Sequence, residues 1–377
     1  MNLVALPTPL ALVDERRMLA NIQRMQQRIS GLGARLRPHV KTAKCIEIAR
    51  LQKAAGAVGI TVSTLKEAEQ FFAAGYDDIL YAVCIAPPKL AQALALVQQG
   101  CKLTLLVDSM AAASAVVAQG RSAGISIRVM IEIDTDGHRA GVKPEAEVLL
   151  QIGQTLHQGG ATLVGVMTHA GASYEENTVQ GLQRMAEQER ALSVRAAERL
   201  RAAGLPCAEV SVGSTPTALS ATTLQGVTEV RAGVYVFHDL VMCNVGVCTT
   251  DDVALSVLTT VIGHQEEKGW VIVDAGWMAM SRDRGTQQQA QDWGYGAVCD
   301  EAGQLFSGWV MSGANQEHGI LSHSDGVAAM GVAEQFPIGT RLRILPNHAC
   351  ATGAQFEQYQ VLSEAGSLRT WQRFGGW

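Results

Sequence analysis

Eight short apolar runs, each followed by a stretch of helical character, fill the first two thirds of the chain: "LRPHVKT", "GITVST", "DILYAV", "KLTLLVD", "SIRVMIEID", "ATLVGVMTHA", "AEVSVGST" and "TEVRAGVYVF". They are rich in Val and Ile and show little polar alternation, the pattern of parallel strands buried on both faces. Between them the periodicity predicts helices over Ile46–Ala55, Glu67–Ala73, Pro88–Gln99, Ser109–Ala118 and Glu145–His157. A longer helix ends before Gly204, a residue suited to its C-cap. Eight strand–helix repeats over roughly 200 residues are what a (β/α)8 barrel requires. An open doubly wound sheet is the alternative, but no Gly-x-Gly-x-x-Gly follows any of the runs.

The pattern changes after about residue 245. "DVALSVLTTVIGHQ", "GWVIVDAGW", "GYGAVCD" and "TRLRILPNHAC" are β-like runs separated by turns. The expected architecture is therefore α/β: a (β/α)8 TIM-like barrel over residues 10–245, followed by a smaller mostly-β domain over 246–377. Residues 1–14 contribute a strand to the latter through "PLALVD". A chain of 377 residues, 47% hydrophobic and 17% charged, can fill two such cores.

Charge and composition remove several function classes. The formal net charge is -5, without basic blocks, so no nucleic-acid partner is expected. No apolar run is long enough for a bilayer, so no membrane partner is expected either. The start, "MNLVALPTPLALVDERR", lacks the basic leader and apolar core of a signal peptide. The eight cysteines are scattered rather than framed for disulfides, which suits a reduced, cytoplasmic setting.

In a barrel of this kind chemistry gathers at the C-terminal ends of the strands. Those ends carry Lys41, then Arg139, then His169 and Tyr174, then Gly213, Ser214 and Thr215, and last Gly233, Val234 and Tyr235. A strand-end amine among Arg37, His39 and Lys44 suits a nucleophile better than a solvated charge, although most lysines simply reach into water. The two small-residue turns can offer N–H groups and hydroxyls to a phosphate, or be no more than turns. Amine, ring, guanidinium and phosphate turns together suit pyridoxal phosphate, with the lysine as its Schiff-base anchor.

A second constellation is "PNHAC". His348 and Cys350 are two residues apart and would share one face of an extended segment. Imidazole and thiolate form a soft pair that favours zinc, whereas a metal site normally needs three or four ligands and a buried cysteine beside a loop histidine is the plainer reading.

Six ordered motifs, "RPHVKT", "EIDTDGHRAGV", "THAGASY", "SVGSTPT", "TEVRAGVYVF" and "PNHACATG", resemble the D-threonine aldolase and D-serine dehydratase family over nearly the whole chain. The resemblance implies an alanine-racemase-like fold, pyridoxal 5'-phosphate as cofactor, and a homodimer with sites near the subunit contact. It makes Lys41 the Schiff-base lysine, sets His169 against the cofactor ring, Arg139 near its phenolic oxygen and Tyr174 near its pyridine nitrogen. It gives the phosphate to Gly213, Ser214, Thr215, Gly233, Val234 and Tyr235. It also makes His348 and Cys350 ligands of a divalent metal, zinc first and manganese or another divalent ion as alternatives. Dehydratases of the family carry cysteine at the second position, aldolases aspartate, and substrate and water complete the coordination.

The implied reaction is loss of water from a small D-3-hydroxy amino acid, D-serine or D-threo-3-hydroxyaspartate, giving a 2-oxo acid and ammonia. Retro-aldol cleavage to glycine and an aldehyde is the alternative. A non-enzymatic pyridoxal phosphate carrier is a third reading, disfavoured by the extra β domain. Arg282 and Arg284 are candidates for a second substrate carboxylate, or surface charges. Among the remaining polar residues, Glu317 and His318 read as a turn or as an outer partner of the site, and Asp274 as a turn residue. Cys243 and Cys248 have no second pair for a zinc ribbon, and Met278 and Met280 alternate as the core residues of a strand do.

Overall fold

The computed structural model describes residues 6–325 and 330–377. It divides into two units, Ile22–Gly233 and the combination of Met1–Asn21 with Val234–Gly375. Strand β1 (Leu10–Asp14) and helix α1 (Glu15–Gly31) open the chain.

The unit Ile22–Gly233 contains eight parallel strands: β2 (Arg35–Leu36), β3 (Ile60–Val62), β4 (Asp78–Cys84), β5 (Lys102–Val107), β6 (Arg128–Ile133), β7 (Thr162–Thr168), β8 (Glu209–Val212) and β9 (Glu229–Val230). Their spatial order is β2-β9-β8-β7-β6-β5-β4-β3. A parallel bridge from His39 to Thr61 joins the two ends of that order into a ring. Helices α2 (Ile46–Ala54), α3 (Leu65–Ala73), α4 (Leu90–Gln98), α5 (Met110–Ala123), α6 (Glu147–Gln158), α7 (Val179–Ala202) and α8 (Thr215–Ser220) alternate with the strands. Apart from their first residues, β5, β6 and β7 are buried throughout, as strands covered on both faces must be. Gly204 follows α7 with φ +75°, the left-handed stop its position predicts.

The closing seam is short, since β2 and β9 have two residues each. Arg37 reinforces it. Its Nε donates to Glu229 at 2.9 Å, and its two terminal nitrogens reach Asp78 at 3.0 and 3.2 Å. Burial opposes the guanidinium charge, but Glu229 and Asp78 outweigh it and hold the proton more tightly than usual.

The other unit is built on β10 (Leu255–Gln265), β11 (Trp270–Val273), β12 (Gly296–Cys299), β13 (Leu305–Ala314), β14 (Gly319–His323) and β15 (Arg341–Pro346). The antiparallel order β11-β14-β13-β12-β15-β10 returns to β11, closing a small barrel. Strand β10 can serve two neighbours because it is long and bulged: Leu255–Leu258 pairs with β1, and Val261–Gln265, across the irregularity at Val261/Gly263, pairs with β11. Strand β1 also pairs in parallel with β16 (Gln358–Leu362), which carries β17 (Leu368–Gln372) at the edge. Val257, Val271, Val273, Val298, Trp309, Met311, Phe336 and Ile344 fill the centre.

Two local expectations change. Met278 and Met280 lie on a short helix, Trp277–Met280, not on a strand; Met280 is buried and Met278 is 43% exposed. The helix forms because the N–H groups of Trp277 and Met278 donate to Asn315 and Gln316 carbonyls. Asp274 is more than a turn residue. Its carboxylate accepts from the hydroxyls of Thr8 and Thr259 and from the N–H of Thr260. Among the described residues, no helix is long and apolar enough to cross a membrane.

Candidate functional site

Lys41 lies in the turn after β2, and its side chain is exposed. The backbone around it is held on both sides: His39 N–H donates to Ala232 O, Val40 N–H to Thr61 O, and Lys44 N–H to Val40 O. Two of the three cations expected to surround it are neutralised. Arg37 is paired as above, and Lys44 Nζ sits 3.2 Å from the buried carboxylate of Glu67. The groups that feel the Lys41 charge are His39 and His169, and in both the proton is disfavoured first by burial and then by the surrounding cations. His39 Nδ1 is buried with no hydrogen-bond partner in the protein.

His169 follows β7. Its Nδ1 is 3.0 Å from the Gly213 carbonyl, which can only accept, so Nδ1 carries the hydrogen and Nε2 is left bare. Burial, opposed by that bond but reinforced by Lys41, Arg139 and Arg231, lowers its pKa to about 3. The ring is therefore neutral. Tyr174 stands beside it with ring centroids 6.1 Å apart. Arg139 is half exposed, with a terminal nitrogen 3.3 Å from Glu132.

The turn after β8 differs from a simple phosphate nest. Gly213 has φ +136°, and a Cβ there would stand 2.0 Å from the Arg231 carbonyl, so only glycine fits. Its N–H is already given to Glu189, at 2.9 Å, and the Ser214 N–H to Thr217 Oγ1, at 3.1 Å. Gly213 thus supplies space rather than a donor. Ser214 caps α8, and its hydroxyl also meets Ser173 at 2.8 Å. Gly233 approaches the end of β2, where a Cβ would meet His39 O at 2.9 Å. Val234 and Tyr235 are buried in a 3-10 turn at the start of the other unit.

Several groups escaped the sequence reading. Glu189, on α7, is fully buried; burial raises its pKa, while hydrogen bonds from Thr217, Gly213 and Ala170 oppose the rise. Nothing in the sequence distinguished it from the other charges of α7. Arg231 is also fully buried, donating to Ser211 Oγ at 2.6 Å and to Thr168 O at 2.5 Å. Burial brings its pKa down to about 10. An arginine inside the apolar run "TEVRAGVYVF" was a readable signal. Finally, Cys84, Asp108 and Glu132 come from three neighbouring strand ends, with ligand atoms all within 4.8 Å of one another. Cys84 donates to Glu132 at 3.0 Å, and burial first, then Glu132, pushes its thiol pKa up. Arg139 reaches the other Glu132 oxygen at 3.3 Å.

In the other unit, His348 follows β15 and precedes the short helix Ala349–Gly353, whose first turn contains Cys350. His348 Nδ1 is 2.7 Å from Asp283 Oδ2, which directs Nε2 outward as a metal ligand is directed. The fully buried Asp239 accepts from the N–H of Ala349, between the two candidate ligands, and from Met242 at the start of α9 (Leu240–Val245). Asn347 accepts from Thr286 and donates to the carbonyls of Asp283 and Gly294. The turn is thus fixed from three sides. Burial works against a charged His348, yet Cys350 and Asp283 outweigh it and raise its pKa to about 11. A site this eager for positive charge, with a soft imidazole and thiolate donor set, suits a divalent cation.

Arg284 pairs with both oxygens of Asp292, at 3.2 and 2.9 Å, and stands over Tyr295. Arg282 stacks on Trp277 at 4.4 Å. Glu317 and His318 are exposed in the β13–β14 turn, closed by Asn315 N–H to His318 O.

Comparison with known proteins shows the family and the fold. Residues 13–240 match the family described as alanine racemase, N-terminal domain, and residues 254–362 the one described as "Putative serine dehydratase domain". D-threo-3-hydroxyaspartate dehydratase of Delftia sp. is 65% identical over 377 residues, covering 100% of this chain and 99% of that one. Its solved structure superposes with a TM-score of 0.99 over 99% of both chains. A cysteine-to-alanine mutant of that protein has been solved in a metal-free form. D-serine dehydratase of Dictyostelium discoideum is 29% identical over 96% of this chain and 95% of its own. D-threonine aldolase of an Arthrobacter species is 29% identical over 93% and 87%.

Proposed function

Because the chain belongs to the alanine-racemase-like, pyridoxal phosphate-dependent family of D-serine and D-3-hydroxyaspartate dehydratases, we propose that it removes water from D-3-hydroxy amino acids, D-threo-3-hydroxyaspartate, D-serine or both, to give a 2-oxo acid and ammonia. The observation that carries this reading is full-length identity of 65% to a dehydratase of that substrate.

The barrel residues fit the cofactor. Gly213 leaves room that a Cβ would fill, His169 presents a neutral ring, and His39 holds a buried nitrogen without a protein partner. Lys41 would anchor it, with Arg139, Tyr174, Gly213, Ser214, Thr215, Gly233, Val234 and Tyr235 as its remaining contacts. His348 and Cys350 would hold the metal, zinc by preference of the donor set. When bound, pyridoxal phosphate draws electrons from the substrate α-carbon, and the divalent ion acts as a Lewis acid towards its β-hydroxyl.

The protein's own groups supply the rest. Lys41 would take the substrate α-proton on Nζ. His169, tied through Nδ1 to Gly213, keeps its position and adds no charge. Asp283 orients His348. Arg282, stacked on Trp277 and, among the described residues, without the carboxylate partner that Arg284 has, would receive the second carboxylate of hydroxyaspartate. The eliminated product hydrolyses in water. The reading takes the enzyme as cytoplasmic and as a homodimer; sedimentation of the purified protein checks the dimer.

Incubation with D-threo-3-hydroxyaspartate, D-serine and D-threonine tests the reaction. Ammonia with oxaloacetate, pyruvate or 2-oxobutyrate is expected. Glycine with an aldehyde would make the enzyme an aldolase, and no turnover of any of the three would overturn the assignment.

A further inference from the structure

The sulfur atoms of Cys243 and Cys248 are 3.6 Å apart. Both are free thiols and neither is fully buried. Backbone geometry creates the pair. Helix α9 ends with Val247 N–H on Met242 O and Gly246 N–H on Cys243 O, and Gly246 takes φ +85°. This is a Schellman turn, which folds the chain back over the last helical turn and sets Cys248 against Cys243. Sulfurs bonded to each other stand about 2.05 Å apart, so closure needs an approach of about 1.5 Å, within the reach of side-chain rotation.

Helix α9 is coupled to the ligand turn of the same unit by two routes. At its start, Asp239 caps the helix and also accepts from Ala349 N–H, between His348 and Cys350. Beside Cys243, Asn244 donates to Gln289 and Gln291 and accepts from the Trp293 indole. Trp293 N–H in turn donates to Thr286, whose hydroxyl donates to Asn347.

We propose that Cys243 and Cys248 form a reversible dithiol–disulfide switch that answers low-molecular-weight disulfides and loosens the His348–Cys350 turn when oxidised. One thiolate attacks the small disulfide and releases one small thiol. The second protein thiol then attacks the mixed disulfide, releasing the other. Two protein S–H bonds and one small S–S bond are replaced by one protein S–S bond and two small thiols, with two electrons passing to the oxidant. Contact with Cys243 and then burial push the Cys248 thiol up, which slows its attack as a thiolate at neutral pH.

The test uses the metal-loaded holoenzyme and oxidised glutathione. The expected result is an intact mass lower by two hydrogen atoms, a peptide map joining Cys243 to Cys248, and metal affinity reduced by about 10- to 100-fold, as when groups that orient ligands are disturbed. Dithiothreitol should restore both mass and affinity. Cys243→Ser and Cys248→Ser should each keep ordinary activity and metal affinity before and after oxidant. A map showing glutathione only on Cys350, or a Cys243–Cys248 bond that leaves metal affinity unchanged, would overturn the proposal. Mass and metal content are read whatever substrate the enzyme takes, so failure of the proposed reaction leaves this test standing.

Discussion

Lys41 and Lys44 are three residues apart and their roles separate at the level of single contacts. Lys44 is held by Glu67, whereas the Lys41 side chain is exposed and its charge acts on the neutral His39 and His169. Borohydride treatment of the yellow enzyme should therefore fix the cofactor to Lys41, and a labelled peptide carrying Lys44 instead would reject that assignment. Asp283 is the clearest positioning residue of the candidate metal centre, and the His348 hydrogen bond is also what chiefly lowers its pKa. Asp283→Ala should weaken metal binding by about 10- to 100-fold while leaving cofactor absorbance in place. Asp283→Asn, which keeps an acceptor for His348, should recover part of the loss. Equal loss in both variants would mean that charge rather than orientation is what Asp283 provides.

Elements meet around single buried groups. Helix α7 reaches two barrel loops through Glu189, which accepts from Ala170 after β7 and from Gly213 after β8. Glu189→Ala leaves both N–H groups without an acceptor and should cost about 1–3 kcal/mol, seen as a lower urea midpoint. Cofactor affinity should fall in the same variant, because His169 hangs from the carbonyl of the same Gly213. An unchanged cofactor affinity would show that the β8 loop holds its form without α7. Glu189 could not be recognised in the sequence as the partner of Gly213, since a charge in the middle of a long amphipathic helix ordinarily faces water.

Across the whole molecule, burial of charge sets the response to pH. His169 binds its proton at about pH 3 and His39 well below its ordinary value, so at these two rings the unfolded chain holds more protons than the folded one below about pH 6.5. Their contribution to stability should rise with pH through that window and be fully present above it, whereas that of His348, whose pKa is raised to about 11, falls as pH rises beyond it. Each histidine contributes a slope of up to about 1.4 kcal/mol per pH unit. Glu189 and Asp239, with raised values, oppose this slope. Comparing His169→Asn with the parent isolates one proton. The variant should show a shallower dependence between pH 5 and 6.5, and an identical dependence would refute the buried neutral state. Chelation addresses the division of labour: ammonia release should cease while cofactor absorbance, circular dichroism and exchange of the substrate α-hydrogen with deuterated water persist. Full elimination by the metal-free enzyme would return His348 and Cys350 to a structural role.

The alternation of apolar runs and helices determined the barrel, and the shift to short β runs the second fold, because strand and helix periodicities are local properties of a chain. Short motifs likewise marked Lys41, His169 and His348 with Cys350, since chemistry depends on residue type. Tertiary structure alone decided which charges remained unpaired. Arg37, Lys44 and Arg284 each met a carboxylate distant or unremarkable in the sequence, Gly213 gave its N–H to Glu189, and Cys84, Asp108 and Glu132 assembled from three strands. Pairing of charges across a barrel follows from strand order and register, which no single segment carries.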